Sequence, residues 1–261
     1  MIKKIFNDRR MLWELAKNDC RARFSGSLLG AVWTILQPLV NMLVIWLIFQ
    51  VGFKSSNLAD DTPFIVWYMP AFLIWNFFSE AVSQGADSLI SYSYLVKKVN
   101  FNVEIIPVIK VVSAGIIHLF FILFICFVNM CYGIYPSLYY LQVFYYFFCA
   151  VMLSMALSLL LSAVTPFYTD VSNLVAIIIQ IGFWITPIFW DPANMNHISA
   201  AILKANPMYY VCMGYRDCFI YGVGFWEKPL LTLYFWVIVA ICLLFGVKIF
   251  KKSRPHFDDV L

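Results

Sequence analysis

Charge is what this sequence has least of. Asp, Glu, Lys and Arg make up 12% of it, about half of the roughly 25% usual in soluble domains, and the mean hydropathy is +0.82. A soluble globular domain is excluded. Within the long apolar blocks charge is rarer still. Glu80 and Lys110 lie near block ends, where both can snorkel, and His118 sits deeper as a lone histidine suited to packing or hydrogen bonding. A carrier driven by protons or sodium would bury several carboxylates, so ion coupling has no support. No GxxxxGK[ST] phosphate loop occurs and the 11 glycines are mostly isolated, which leaves the chain without a nucleotide site of its own. The seven cysteines (Cys20, Cys126, Cys131, Cys149, Cys212, Cys218, Cys242) have no CxxC spacing and read as small apolar packers. Cys212 and Cys218 do not share a helix face, so a bridge between them is not expected. With no metal-ligand cluster (metal: none) and no Ser/His constellation inside the blocks, an enzyme (catalytic residues: none) is not expected either.

What is there is hydrocarbon. Six apolar blocks, at 32–53, 64–83, 105–131, 139–164, 172–190 and 230–250, approach or exceed the ~20 residues that one crossing needs. They lack the short alternation of barrel strands, and a backbone in lipid must satisfy its own hydrogen bonds, so each should be helical. The expected fold is one all-α membrane domain over 1–261 with six transmembrane helices, an N-terminal amphipathic interface helix, and short extracytoplasmic helices between spans five and six. Seven basic residues precede residue 31, Lys97, Lys98 and Lys110 follow span two, and four more come from Lys248 onward. The positive-inside rule then places both termini in the cytoplasm, and an even number of spans agrees. The net charge of +4 reads as contact with anionic membrane lipids. Nucleic acid is not a partner, because the basic residues form no folded soluble patch. The charged N-terminal segment has no apolar core, so a cleavable leader is not expected.

Three polar segments have structure of their own. In 1–31, Ile5, Leu12, Leu15 and Ala16 can share one side while Asp8, Arg9, Glu14 and Lys17 take others. That pattern describes a helix on the membrane surface or a solvated arm. Arg21, Arg23, Phe24, Ser27, Gly30 and Trp33 follow, with the Gly26 to Gly30 spacing reading as a flexible turn into the first span. In 84–104, Asp87 or Ser88 can cap a short helix from which Leu89, Tyr92 and Val96 project together. That ridge needs a cover, either lipid and the chain's own spans or a soluble partner with a groove; the pattern does not choose. In 191–229, Ile198 to Ala205 and Met208 to Tyr221 are helix-like, with Asn206-Pro207 as the break. Arg216 and Asp217 are adjacent there and point different ways.

Aromatics are abundant: 25 Phe, 15 Tyr and 9 Trp. Trp33, Tyr139, Tyr140 and Trp236 suit the membrane interface. Phe64, Tyr68, Phe72 and Trp75 fall along one face of span two. Such rings either pack helices or offer stacking surfaces to the C–H edges of sugars.

The run Arg-x-Arg-Phe-x-x-Ser-x-Leu-Gly-x-x-Trp from Arg21 to Trp33, ending at Gln37-Pro38-Leu39, resembles the opening of the polysaccharide-export permeases of the type-2 ABC transporter family. These include O-antigen, teichoic acid and group-2 capsule exporters. The likeness continues through Leu95 to Phe101 with Ile106-Pro107, Thr186-Pro187-Ile188, Asn206-Pro207-Met208, Tyr215-Arg216-Asp217 and the ending Phe257 to Leu261. One departure is Thr169 in Phe167-Tyr168-Thr169-Asp170, where many members carry an arginine. The resemblance implies a permease subunit in the bacterial inner membrane, without cofactors of its own, that forms a homodimer and binds two copies of a separate ATPase holding ATP and Mg. It implies that Asp87, Leu89, Ile90, Tyr92 and Val96 couple to that ATPase. It implies an interface segment at Arg21, Arg23, Phe24, Ser27, Gly30 and Trp33, and a gate at Asn206, Pro207, Tyr215, Arg216 and Asp217. The cargo it implies is an undecaprenyl-linked polysaccharide, O-antigen foremost, passing Phe64, Tyr68, Phe72 and Trp75. Teichoic acid, capsule, and a small lipid or drug are the alternatives, with an ion-coupled flippase as the different class.

Overall fold

The computed structural model describes residues 9–22, 30, 32–52, 62–97, 101–192 and 197–261. Every regular element among them is helical. In chain order these are α1 (Arg9–Ala22), α2 (Val32–Leu47), α3 (Phe64–Ala86), two single turns α4 (Ser88–Ser91) and α5 (Ser93–Val96), α6 (Ile105–Cys131), α7 (Val143–Ser162), α8 (Asp170–Ile185), α9 (His197–Ala205), α10 (Pro207–Arg216), α11 (Pro229–Ser253) and α12 (Phe257–Val260). A π turn at Ile48–Gly52 extends α2, a second at Asp217–Tyr221 extends α10, and a 3₁₀ turn at Leu138–Gln142 leads into α7.

Among the described residues five helices, not six, are long and apolar enough to cross a membrane: Val32–Gln50, Phe64–Ala86, Ile105–Cys131, Leu138–Ser162 and Pro229–His256. The block at 172–190 makes the difference. Its helix, α8, has 16 residues and so runs for about 24 Å, short of the ~30 Å hydrocarbon core. Thr186 ends it at φ −68° and ψ 133°, because the residue before a proline is driven out of the helical region and Pro187 follows. Counting apolar residues ran straight through that break. The even number of spans, and its support for both termini on one side, goes with the sixth span.

The core is built around α3, which is buried along most of its length and packs against α6, α7, α8 and α10. Lipid is as apolar as a protein core, so close packing and polar links hold such helices together more than removal from water does. Gly85 illustrates the first: a Cβ there would lie 2.0 Å from Ser158 Oγ of α7. Ser158 illustrates the second, donating to Ala81 O at 3.3 Å in the same contact.

The amphipathic N-terminal stretch is helical from Arg9, and its apolar side is covered by the chain itself. Leu12 and Ala16 pack on Ile105, Val108 and Ile109 of α6. Residues 1–8, with Ile5 and Asp8, lie outside the description. In 191–229 the break falls at Asn206-Pro207, as the sequence indicates. Asn206 accepts from the Met208 amide at 3.0 Å and caps α10, with Pro207 in the first turn.

The segment after α3 differs from the single capped helix expected. Its helix breaks at Tyr92 into α4 and α5, and Asp87 makes no capping bond. Leu89 and Val96 are buried in a cluster with Val103, Ile106, Leu159, Phe250 and Phe257. The cover for that ridge is the protein's own helices. Ile90 and Tyr94, on the opposite side, are exposed.

Candidate functional site

Polar side chains recur at helical spacing inside two apolar helices, and a third adds one. On α2 they are Thr34, Gln37 and Asn41; on α3, Asn76, Ser79 and Ser83, with Glu80 and Gln84 beside them; on α8, Gln180. Spacings of three and four residues put each set on one helix face, and the fold turns those faces toward each other. A cavity of about 470 Å³ results, lined by Asn41, Phe72, Trp75, Asn76, Ser79, Ser83, Gln180 and Phe183 among others. Asn41, Asn76, Ser79 and Ser83 also line a neighbouring cavity of about 540 Å³ with Trp33, Thr34, Gln37 and Glu80. Ser83 and Gln84 continue into a third of about 320 Å³ that reaches Asp87, Ser91 and Lys110. Together they form a groove between α2, α3 and α8 that runs down to the segment after α3.

The groove is nearly neutral. Amides and hydroxyls dominate, and its one carboxylate toward the middle, Glu80, accepts from Gln84 at 3.2 Å. Polar groups at membrane depth cost free energy unless water, protein or cargo satisfies them, so their gathering on one groove makes it the candidate site. The arrangement offers many weak hydrogen bonds, and the ion pair of Lys110 with Asp19 lies at its end toward the segment after α3.

Aromatic rings form one flank. Phe64 stacks on Tyr68 (centroids 5.5 Å, interplanar 6°) and Tyr68 contacts Phe72 at 5.2 Å. Phe72 and Trp75 lie 6.2 and 6.3 Å from Phe183 of α8. Of these four span-two residues, Phe72 and Trp75 line the groove; Phe64 and Tyr68 are buried behind it, with Phe49 stacked on Phe64 at 5.3 Å.

The other sequence-derived residues fall in separate places. Leu89 and Val96 are interior and Ile90 is exposed. Tyr92 donates to Asp19 of α1 at 2.8 Å, and Lys110 of α6 pairs with the same carboxylate. Asp87 accepts from Ser172 of α8. In the interface segment, Arg21 is exposed, Gly30 sits in a turn at φ 48° and Trp33 lines the groove. Arg23, Phe24 and Ser27 lie outside the described residues.

The residues expected at the gate form a polar anchor. Asn206 donates to Thr186 Oγ1 at 2.8 Å. Arg216 is buried; its Nε donates to Trp67 O at 3.1 Å and its Nη2 to Ile188 O at 2.6 Å, and its Cζ lies 3.4 Å from the Trp67 ring centre. Burial lowers its pKa to about 10, which leaves it charged at neutral pH. Tyr215 hydroxyl contacts His118 Nε2 at 2.9 Å. Asp217 pairs with Lys228; burial raises its carboxyl pKa while that pairing opposes the rise.

The neutral strip is what sequence reasoning missed. Its signal was present in Gln37 and Asn41 at i, i+4, and in Asn76, Ser79 and Ser83 at i, i+3, i+7. A search for buried charge passes over amides.

Comparison with known proteins adds the family. The model of the ABC-2 type transporter family matches residues 10–220. The chain is 25% identical to the O-antigen export system permease protein RfbA of Myxococcus xanthus, over 99% of this chain and 98% of that protein. It is 24% identical to an O-antigen export system permease protein RfbA of Klebsiella pneumoniae, over 96% of this chain and 95% of that protein.

Proposed function

The chain belongs to the ABC-2 type transporter family, as a membrane permease related to O-antigen export proteins, and on that premise we propose that it exports a lipid-linked polysaccharide of the O-antigen kind. It works as the non-catalytic subunit in the bacterial inner membrane. A homodimer joins two copies of a separate ATPase, which binds ATP and Mg and supplies the energy. The observation that carries this reading is the groove between α2, α3 and α8. Its neutral amides and hydroxyls match the hydroxyls of sugars, and Phe72, Trp75 and Phe183 offer ring faces to sugar C–H edges. A polymer must be held weakly at many places if it is to keep moving, and a groove lined mainly by amides and hydroxyls suits that.

In this reading the ATPase meets the face carrying Ile90 and Tyr94, since Leu89 and Val96 are taken up by the interior. The anchor made by Asn206 and Arg216 holds the far end of α8, where a gate would close, and Tyr215 beside it bonds to His118 of α6.

The test replaces polarity at constant bulk. Asn41→Leu with Asn76→Leu, expressed in cells lacking the native gene, should reduce surface polysaccharide severalfold on an immunoblot while the permease remains at wild-type abundance in membranes. Wild-type surface polysaccharide in the double variant sinks the groove as the cargo path.

A further inference from the structure

The geometry points to the Ser172–Asp87 hydrogen bond as the link through which the cytoplasmic segment moves one wall of the groove, an inference that rests on the exporter reading above. Four observations converge on α8. Within one chain the helix is little buried, with Val175 its one buried residue. Space lies on both of its sides: the polar cavity of about 470 Å³ on one, and on the other an apolar cavity of about 430 Å³ lined by Val82, Leu161, Val175, Ile178 and Ile185 among others. Its middle touches α3 where Gly182 meets Trp75, whose ring lines both cavities; a Cβ at 182 would come within 2.9 Å of Trp75 Cη2. Its two ends are fixed by polar links of different kinds.

At the C-terminal end, Thr186 accepts from Asn206, and Ile188 O accepts from the buried Arg216. The helix has already ended there, at Thr186-Pro187, so this end is anchored to the body of the protein beside a break in the chain. Breaks of this kind are where rigid elements turn. At the N-terminal end the partner is Asp87, the single residue joining α3 to α4. A tilt of α4 and α5 displaces Asp87, and the charge-assisted bond to Ser172 carries the displacement into α8. With one end anchored and room on both sides, α8 then swings, widening or narrowing the groove at Gln180 and Phe183. Ser172 and Asp87 are positioning residues: they move the wall and need not touch the cargo.

The experiment uses the complete complex of permease and ATPase in inverted membrane vesicles that carry the strain's own lipid-linked glycan. Glycan protected from a glycan-cleaving enzyme is measured against ATP hydrolysed. Ser172→Val, which has the bulk of threonine without a hydroxyl, should hydrolyse ATP at the wild-type rate and export roughly tenfold less glycan per ATP, about the factor associated with one lost charge-assisted hydrogen bond. Ser172→Thr restores the hydroxyl and should restore the ratio. A wild-type ratio in the valine variant overturns the link, as does an equal loss in both variants. If the valine variant does not accumulate, Ser172→Ala takes its place with the same expected loss. If the wild-type complex itself takes up no glycan when ATP is added, the exporter reading fails, and the link fails with it.

Discussion

Arg216→Lys isolates what the guanidinium does beyond carrying a charge. Arg216 donates to two main-chain carbonyls on different elements, Trp67 O of α3 at 3.1 Å and Ile188 O after α8 at 2.6 Å, and lies over the Trp67 ring with Cζ 3.4 Å from its centre. A lysine ammonium is a compact point charge and cannot serve both carbonyls while covering the ring. The exchange loses one hydrogen bond from a charged donor, about 1.5–3 kcal/mol. It also loses part of a desolvated cation–π contact worth about 2 kcal/mol. Together these come to about 3 kcal/mol, roughly a hundredfold in the ratio of folded to unfolded protein. The assay is reversible unfolding of purified permease by SDS in mixed micelles, followed by tryptophan fluorescence. The lysine variant should unfold at distinctly lower SDS with a transition of the same steepness. Coincident curves for the two proteins refute the anchoring argument, because the charge is kept and the bridging geometry alone is removed.

The segment after α3 gives a paired test. Leu89→Asp buries a charge in an apolar cluster and should cost several kcal/mol, visible as lost permease in membranes. Ile90→Asp changes an exposed position and should leave abundance intact while reducing recovery of the ATPase with the purified permease; equal abundance of the two variants contradicts the burial assignment. Asp217 provides a pH test. Burial raises its pKa above the ordinary 3.8, against the pull of Lys228. A carboxyl whose folded pKa is raised adds stability that is fully present below its unfolded pKa and is lost as pH rises through the folded one. The wild type should therefore lose stability relative to Asp217→Asn as pH climbs from 3.8 through that folded value, and parallel pH profiles of unfolding contradict the assignment.

How much of this was legible in the sequence depended on the range of the interaction. The helical, membrane-embedded character follows from local composition, and the Asn206-Pro207 break from local stereochemistry. Both stand in the structure. Thr186-Pro187 obeys the same stereochemistry, yet the six-span reading let hydropathy outweigh it. The Leu89 ridge shows a different limit. Helical spacing establishes that a ridge needs a cover, but the cover here is Ile106 and Phe257, residues brought in by the fold. The bonds of Asp87 to Ser172 and Tyr92 to Asp19 join positions 85 and 73 residues apart, and no periodicity announces them. The neutral strip was readable in principle, because Asn76, Ser79 and Ser83 repeat as a helix repeats.

The groove itself argues for a second copy. Gln37 and Asn41 on α2 and Gln180 on α8 are exposed on its rim, and Asn41 stands midway along Val32–Gln50. A single chain in a bilayer would present these amides to hydrocarbon, where an unsatisfied polar group costs several kcal/mol. The helices that flank the groove carry large apolar side chains on their outer faces: Val40, Leu43 and Leu47 on α2, Ile177, Ile181 and Trp184 on α8, all exposed. One surface therefore combines a polar strip with apolar margins. Facing another such surface across a two-fold axis, the margins would meet or stay in lipid while the strips enclosed a common wet path. The homodimer proposed above would let these amides remain hydrated at that depth. Asn41→Leu alone should accordingly raise the stability of the separated monomer in detergent while lowering export. A monomer destabilised by that change would mean the amide is satisfied within one chain, and the argument for a shared path would be lost.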